Sequence, residues 1–313
     1  MRNNTPGFTL SLDCEGLWGM ADNEHVINSG LINEVSLTRA YAFIMRTLDK
    51  SELKATAAFV TCFAAEPEAV LDHITLIEQM ASLNPIWFAR SLPALRSGAT
   101  DGWFGADLYQ SMSRAGHEMA WHGTTHLALS AQTPSHAIEL ELELASRLFR
   151  DFGHVPRTIV FPRNQIGYLE ELRSYGFETY RASLPGNIVS RLSGLLNEWN
   201  IFDRQVMDKP CVRGGWNVSP AGNFLNWPSK VRGLVPVSVT VRRWKSLLLH
   251  AAKYGGYVHM WFHPHNLITA PAMQSAFEEI VRFAGELIKS GDICNLTMAE
   301  ANEHYKKRSC NEH

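Results

Sequence analysis

The chain has 313 residues, of which 45% are hydrophobic and 19% charged, and a formal net charge of −2. That composition fits a globular protein with a large core, either one big α/β domain or two average ones. The near-neutral charge gives no electrostatic basis for binding nucleic acid or an anionic membrane, and no apolar run is long enough to span a bilayer.

The opening residues Met1 to Pro6 run into an apolar stretch too short for a signal-peptide core, which Asp13 and Glu15 close. A cytoplasmic location is therefore expected. The cysteines at 14, 62, 211, 294 and 310 are scattered and form no CxxC pair. They read as reduced thiols, not as a disulfide framework or a Cys-rich zinc site.

Short apolar runs alternate with helical periodicity along the chain. Phe8 to Leu12 reads as a strand ending at Asp13. Residues 31–50 read as a helix, with Leu37, Ala40, Tyr41, Ile44 and Leu48 in one stripe. Thr56 to Phe63 reads as a strand buried on both faces, followed by a helix from Pro67 to Leu83. Pro85 to Phe104 carries Pro, Gly and Trp without period and reads as a long loop or small insertion. Glu118 to Trp121 is a third strand.

The clearest helix follows. Thr133 is placed to cap it, Pro134 suits its first position and Gly153 ends it. Leu140, Leu144 and Leu148 stack inside it, and Glu143 and Arg147 pair at i,i+4. Next come a strand over Thr158 to Phe161, a short helix from Gly167 to Tyr175 and a strand over Phe177 to Arg181. Residues 183–240 show no period and read as an irregular excursion or active-site loop. A helix near Trp244 to Tyr254, a strand Tyr257 to Phe262, a helix Ala272 to Lys289 and a strand Ile293 to Leu296 complete the pattern. Lys306 to His313 reads as a frayed tail. No linker divides the chain, so residues 1–313 are expected to form a single domain.

Alternation of this kind predicts a parallel sheet with helices outside it, and such folds gather reactive groups at the C-terminal strand ends. Those ends carry Asp13, Cys14 and Glu15, then His122, then Arg163, then His263 and His265. His122 and His126 are four apart; if the chain turns helical there, both imidazoles share a face and can share a cation. Two His and a carboxylate around a water form an open zinc site. Such an ion brings the pKa of its water to about 7, while a second carboxylate takes the proton and an imidazole protonates the leaving group. Asp13 and Glu15, two apart on a strand, point to one face. Arg163 is a candidate to hold one of them ionised, and His263 to serve as the acid.

These segments resemble the polysaccharide deacetylase family, the NodB-homology proteins of carbohydrate esterase family four. Ser11-Leu12-Asp13-Cys14-Glu15-Gly16 is similar to its first motif, of Thr-Phe-Asp-Asp-Gly type. Gly116-His117-Glu118 leading to His122-Gly123-Thr124-Thr125-His126 is similar to its Gly-His-Glu and His-(Ser/Thr)-x-x-His segment. Thr56 to Val60 stands where the family has Ala-Thr-Phe-Phe-Val. Phe161-Pro162-Arg163-Asn164 occupies the place of its Arg-x-Pro loop with altered order, and Trp261-Phe262-His263-Pro264-His265 resembles a divergent last motif. The resemblance spans about residues 8 to 300.

It implies an α/β fold, a distorted (β/α)7-type barrel, and metal-dependent removal of an N- or O-acyl group, usually acetyl from an amino sugar. Carried over, Asp13 is the general base, and Glu15, His122 and His126 are the metal ligands. Arg163 tethers the base and His263 is the acid. The usual second Asp falls on Cys14, so either Glu15 or Asp13 is the carboxylate ligand, with Cys14 a softer option. Zinc is the default ion, and cobalt, nickel or iron suits the same donors. Trp18 and Trp216 are candidate sugar platforms beside the site. His265 either joins them or caps the following helix.

The expected substrate is an N-acetylated or N-formylated amino sugar, nucleotide-linked or lipid-linked, as in surface polysaccharide (lipopolysaccharide) assembly. Two rival readings remain from the sequence. One is a metal-dependent cyclic amidase of the same fold. The other is a non-catalytic carbohydrate-binding homologue with a degenerate site. The sequence leaves the oligomeric state open.

Overall fold

A computed structural model describes residues 5–183, 208–226 and 230–306. Its strands are β1 Gly7–Cys14, β2 Thr56–Phe59, β3 Glu118–Trp121, β4 Thr158–Ile159, β5 Thr179–Arg181, β6 Cys211–Arg213, β7 Trp216–Ser219, β8 Asn223–Phe224, β9 Tyr257–Phe262 and β10 Cys294–Asn295. Every residue of β1 and β2 is buried, as expected of central parallel strands covered on both faces.

The helices Glu34–Lys50, Ser135–Phe152, Leu169–Ser174 and Ala272–Lys289 form where the periodicity places them. Others differ. The run after Phe59 turns into a short helix, Thr61–Ala64, in place of more strand. The helix expected over Pro67 to Leu83 breaks into Pro67–Leu71 and Ile74–Leu83. The segment read as a loop holds the helices Pro85–Phe88 and Ser91–Arg96. The helix near Trp244 begins earlier, at Val237. Thr133 does not cap the long helix: its hydroxyl donates to the carbonyl of Ala128 at 2.6 Å, and Pro134 stands at the cap. Gly153 does end that helix, with φ of 71°, a left-handed turn that glycine adopts at little cost.

Part of the 183–240 excursion is ordered as β6, β7 and β8, and 184–207 and 227–229 lie outside the described residues. Of the tail, 307–313 lie outside them too. Cys14, Cys62 and Cys294 are free thiols, whereas Cys211 is disulfide-bonded. That corrects the expectation of uniformly reduced cysteines, which spacing alone could not test. Among the described residues, no helix is long and apolar enough to cross a membrane.

The chain gathers into two compact units. One comprises Asp13–Tyr41 and Ala57–Glu178; the other comprises Met1–Leu12, Ala42–Thr56 and Thr179–His313.

In the first unit the strand ends are stitched side by side. Val60 N–H donates to Cys14 O at 3.0 Å, His122 N–H to Phe59 O at 2.9 Å, and Val160 N–H to Trp121 O at 2.9 Å. β3 and β4 run parallel, with Trp121 opposite Ile159. Beneath them Trp121 stacks on Phe177 with ring centroids 4.9 Å apart. The helix Ser135–Phe152 buries Ile138, Leu144 and Leu148. Burying three such side chains stabilises the unit by about 1.5–3 kcal/mol each.

In the second unit β1 pairs in parallel with β9, from Gly7 opposite Tyr257 to Leu12 opposite Phe262. β8 lies parallel on β9, and β10 pairs with β1. β7 is parallel to β5 and antiparallel to β6. The helices Val237–Tyr254 and Ala272–Lys289 pack on one another.

Candidate metal centre

The end of β1 sorts three neighbouring residues by strand alternation. Asp13 and Glu15 are both 2% exposed. Cys14, fully buried, hydrogen-bonds to Tyr41 on the helix Glu34–Lys50. Burial first of all, and the nearby charges of Asp13 and Glu15, push its thiol well above the usual value. A thiol held that way is a packed core group, and Cys14 is withdrawn from the ligand candidates.

The carboxylate of Glu15 sits against two imidazoles. Its Oε2 is 2.9 Å from His126 Nε2 and 3.4 Å from His122 Nε2. The two rings have centroids 4.8 Å apart and cross at 67°. They do not come together through a helix, as the i,i+4 spacing proposed. The chain leaves β3 as a loop that bends at Gly123, with φ of 76°, and at His126, with φ of 60°. A side chain at Gly123 would put a Cβ 2.7 Å from Pro162 Cγ, so the turn needs glycine on both counts.

His122 Nδ1 lies 2.7 Å from the carbonyl of Val160. A carbonyl only accepts, so Nδ1 carries the proton and Nε2 turns its lone pair toward Glu15. Two acceptors then face each other in a buried site unless a proton or a cation lies between them. Burial alone lowers the pKa of His122. The Glu15 hydrogen bond, the charges of Asp13 and Glu15 and the Val160 carbonyl outweigh it and hold the ring above its ordinary value. His126 goes the other way: burial, with the charges of His122 and Arg163, outweighs Glu15 and lowers it.

The donor set fits a divalent ion. Metal–ligand bonds near 2.0–2.2 Å in a tetrahedron set neighbouring donor atoms about 3.3–3.6 Å apart. The 3.4 Å separation falls in that range and the 2.9 Å one just short of it, and the donor atoms of Glu15, His122 and His126 lie within 4.8 Å of one another. His122 also shows the arrangement usual for a ligating histidine, with its far nitrogen bonded to a carbonyl. Burying a carboxylate without a partner costs several kcal/mol, and a shared cation offsets this more fully than a neutral ring.

The other expected residues divide. Arg163 stands on a tight turn after β4, with φ of 55°, and its Nη2 pairs with Asp22 Oδ2 at 2.5 Å. Its guanidinium also lies 4.4 Å from the centre of the Trp87 ring. The acid paired with Arg163 is thus Asp22, not the expected Asp13, because the left-handed turn carries the side chain outward.

Trp18 is fully buried, with its indole N–H donated to Trp103 O at 2.8 Å. Trp216, at the start of β7, is 4% exposed and edge-on to Tyr180. Neither offers an open face to a sugar, so both platform expectations are corrected; each ring is taken up by the core.

In the second unit His263 follows β9, half-buried, and stacks on His265 with centroids 5.0 Å apart. Asn266 Oδ1 is 3.2 Å from both the N–H and the Nδ1 of His263. His265 is 3% exposed and precedes the short helix Asn266–Thr269 without a side-chain cap bond.

Four residues escaped the sequence reading. Trp87, half-buried, tilts against His126 at 5.7 Å and donates to Thr125 O at 3.2 Å. Asp22 holds Arg163. Gly19 leaves room for the Glu15 carboxylate, since a Cβ there would fall 2.0–2.4 Å from its atoms. Glu141 binds the loop between the two histidines. Only Glu141 had a signal, a charge on the apolar stripe of an amphipathic helix.

The α/β scaffold brings two imidazoles and a buried acid together at its strand ends, three groups close enough to hold a metal ion. The family model for polysaccharide deacetylase matches residues 32–178, a span that includes His122, His126 and Arg163. Over that span of 147 of the 313 residues the chain is similar to the polysaccharide deacetylase family. Its α/β fold is that of a putative polysaccharide deacetylase from Mycobacterium smegmatis (TM-score 0.60, 14% identity, covering 99% of this chain and 94% of that one). A probable polysaccharide deacetylase from Pseudomonas aeruginosa PAO1 is similar (TM-score 0.58, 12% identity, 99% and 94% covered). So is Puue allantoinase (TM-score 0.56, 14% identity, 97% and 91% covered). No curated protein matches the sequence.

Proposed function

We propose that this chain is a metal-dependent hydrolase that removes an acetyl or formyl group from the nitrogen of an amino sugar. The substrate is a nucleotide-linked or lipid-linked intermediate of surface polysaccharide assembly. The observation that carries the reading is the contact of the buried Glu15 carboxylate with His122 and His126 at 3.4 and 2.9 Å.

Glu15, His122 and His126 would hold the ion, with zinc the default for two nitrogens and one oxygen. When bound, a divalent ion supplies a water of pKa about 7 and polarises the amide carbonyl. The chain's own residues do the rest. Val160 O keeps the proton on His122 Nδ1 and so keeps Nε2 available. Asp13, buried at 2% exposure and close enough in charge to act on His122, is the base that accepts the water's proton. His263 is the proton donor to the leaving amine. That role comes from its motif, and Asn266 fixes the orientation of its ring.

The test is hydrolysis by zinc-loaded protein of N-acetyl and N-formyl amino sugars, free and nucleotide-linked, read as acetate or formate released. Because the fold is shared with an allantoinase, a hydantoin belongs in the same assay. Ring opening without acyl release would replace this reading with a cyclic amidase. Sugar binding with neither reaction would replace it with a non-catalytic homologue.

A further inference from the structure

Glu141 lies on the helix Ser135–Phe152 and is fully buried. A carboxylate there forfeits its hydration and must find donors inside the protein. It finds them all in one loop. Thr124 N–H donates to Oε2 at 2.8 Å, and Thr125 N–H to both oxygens at 3.2 Å. The Thr125 hydroxyl donates to Oε1. In return the Thr124 hydroxyl donates to the backbone carbonyl of Glu141 at 2.8 Å. Burial raises the Glu141 pKa, and the bonds from Thr125 and Thr124 work against that rise.

The loop it grips, Gly123-Thr124-Thr125, is the whole connection between His122 and His126. No helix or strand ladder orders that connection, which carries left-handed backbone at Gly123 and His126. Two N–H groups and a hydroxyl that would otherwise search for partners are drawn to one rigid anchor. On the opposite side, Cys62 N–H donates to Thr124 O at 2.9 Å and Trp87 Nε1 to Thr125 O at 3.2 Å. Those bonds hold carbonyls of the loop, and Glu141 holds the N–H groups of Thr124 and Thr125.

We propose that Glu141 is a positioning residue for the metal centre: its carboxylate fixes the loop conformation that sets the spacing and crossing of the His122 and His126 rings. The geometric claim stands by itself. The consequence for metal affinity rests on the proposed function above.

Glu141→Leu removes every acceptor at similar volume. Glu141→Gln keeps one, and its amide can donate to the Thr125 hydroxyl, so it is the conservative rescue. Two readouts separate the claims. The first is the nuclear Overhauser contact between the two imidazoles in metal-free protein, whose rings stand 4.8 Å apart in the wild type. It should be lost in Glu141→Leu and kept in Glu141→Gln. The second is cobalt(II) affinity by chelator competition, with the visible ligand-field spectrum of the bound ion. Affinity should fall about 10- to 100-fold in Glu141→Leu, the range for residues that orient ligands, with an altered spectrum. Glu141→Gln should stay within about fivefold.

If Glu141→Leu does not fold, Thr125→Val removes the hydroxyl bond alone and should weaken cobalt about threefold. Folded Glu141→Leu with an unchanged ring contact, or Thr125→Val with unchanged cobalt affinity beside an unfolded Glu141→Leu, overturns the proposal. If wild-type protein shows the ring contact but takes up no cobalt, the metal reading fails while the clamp is still judged by the rings.

Discussion

The two units each end a strand in a pair of histidines, and the pairs are built differently. His122 and His126 are joined by a three-residue loop, cross at 67° and converge on a carboxylate. His263 and His265 flank a single proline, stack at 22° and are backed by the side-chain amide of Asn266. In both, the first histidine gives its Nδ1 to an oxygen, a carbonyl in one and an amide in the other. Both rings therefore present Nε2. What separates them is the second ring. The first pair crosses and the second stacks. Spacing in sequence does not predict this; the conformation of the link does.

The largest expected effect tests that division. His122→Ala and Glu15→Ala should each lower metal content after dialysis by about 100-fold, measured by elemental analysis, since each removes one of three protein donors. His263→Ala should keep wild-type metal and lose acyl release. Equal metal loss in all three variants would erase the distinction between the pairs.

A smaller effect is expected from a residue that touches no ion. Gly19→Ala would press a methyl into the Glu15 carboxylate. The carboxylate is the flexible end of its side chain, so it moves and the fold survives. Metal affinity by calorimetry should drop about tenfold, with the melting temperature nearly unchanged. Unchanged affinity would mean that Glu15 has a second productive position, and that its contact with the histidines is not confined.

How much of this was legible follows from how far each feature depends on local rules. The β9 strand was readable to its ends because the buried run Tyr257–Phe262 stops at a histidine and a proline. The helix Ser135–Phe152 was readable from its Leu spacing and Gly153. Asp13 and Glu15 stood out as candidates because they close the buried run of β1. The means by which His122 meets His126 was not, because left-handed backbone at a histidine has no signature in sequence. The partner of Arg163 was hidden for a similar reason. Its turn after Pro162 has φ of 55° at Arg163 and 54° at Asn164, and a strand-end rule cannot foresee where such a turn aims. Trp18 and Trp216 were misread because nearness in sequence to a motif says nothing about exposure. The short helices between Pro85 and Arg96 carry too few residues for a period to register.

Cys14 marks where the first motif departs from its relatives, and the structure gives that departure a packing role. Cys14→Ser should retain the bond to Tyr41 while burying a more polar atom. A stability loss of about 1 kcal/mol by denaturant titration is expected, with metal content unchanged. Loss of metal in this variant would return the thiol to the ligand set and weaken the case for Glu15.

The smallest effect concerns Arg163. Its pair with Asp22 is exposed, with side chains 36% and 41% accessible, and such pairs contribute about 0–1 kcal/mol. Asp22→Asn should therefore shift stability by less than about 1 kcal/mol and leave metal content alone. Arg163→Met removes the same pair and the contact with Trp87, worth about 0.5–1 kcal/mol more at an exposed site. Both variants should retain a kcat for acyl release within about fivefold of wild type, because neither residue is paired with the base. A fall in kcat of about 100-fold in Arg163→Met but not in Asp22→Asn would tie the guanidinium to Asp13 during turnover. Arg163 would then have two partners, Asp22 at rest and Asp13 with substrate bound, and the first unit would owe its chemistry to a change of partner as well as to its crossed rings.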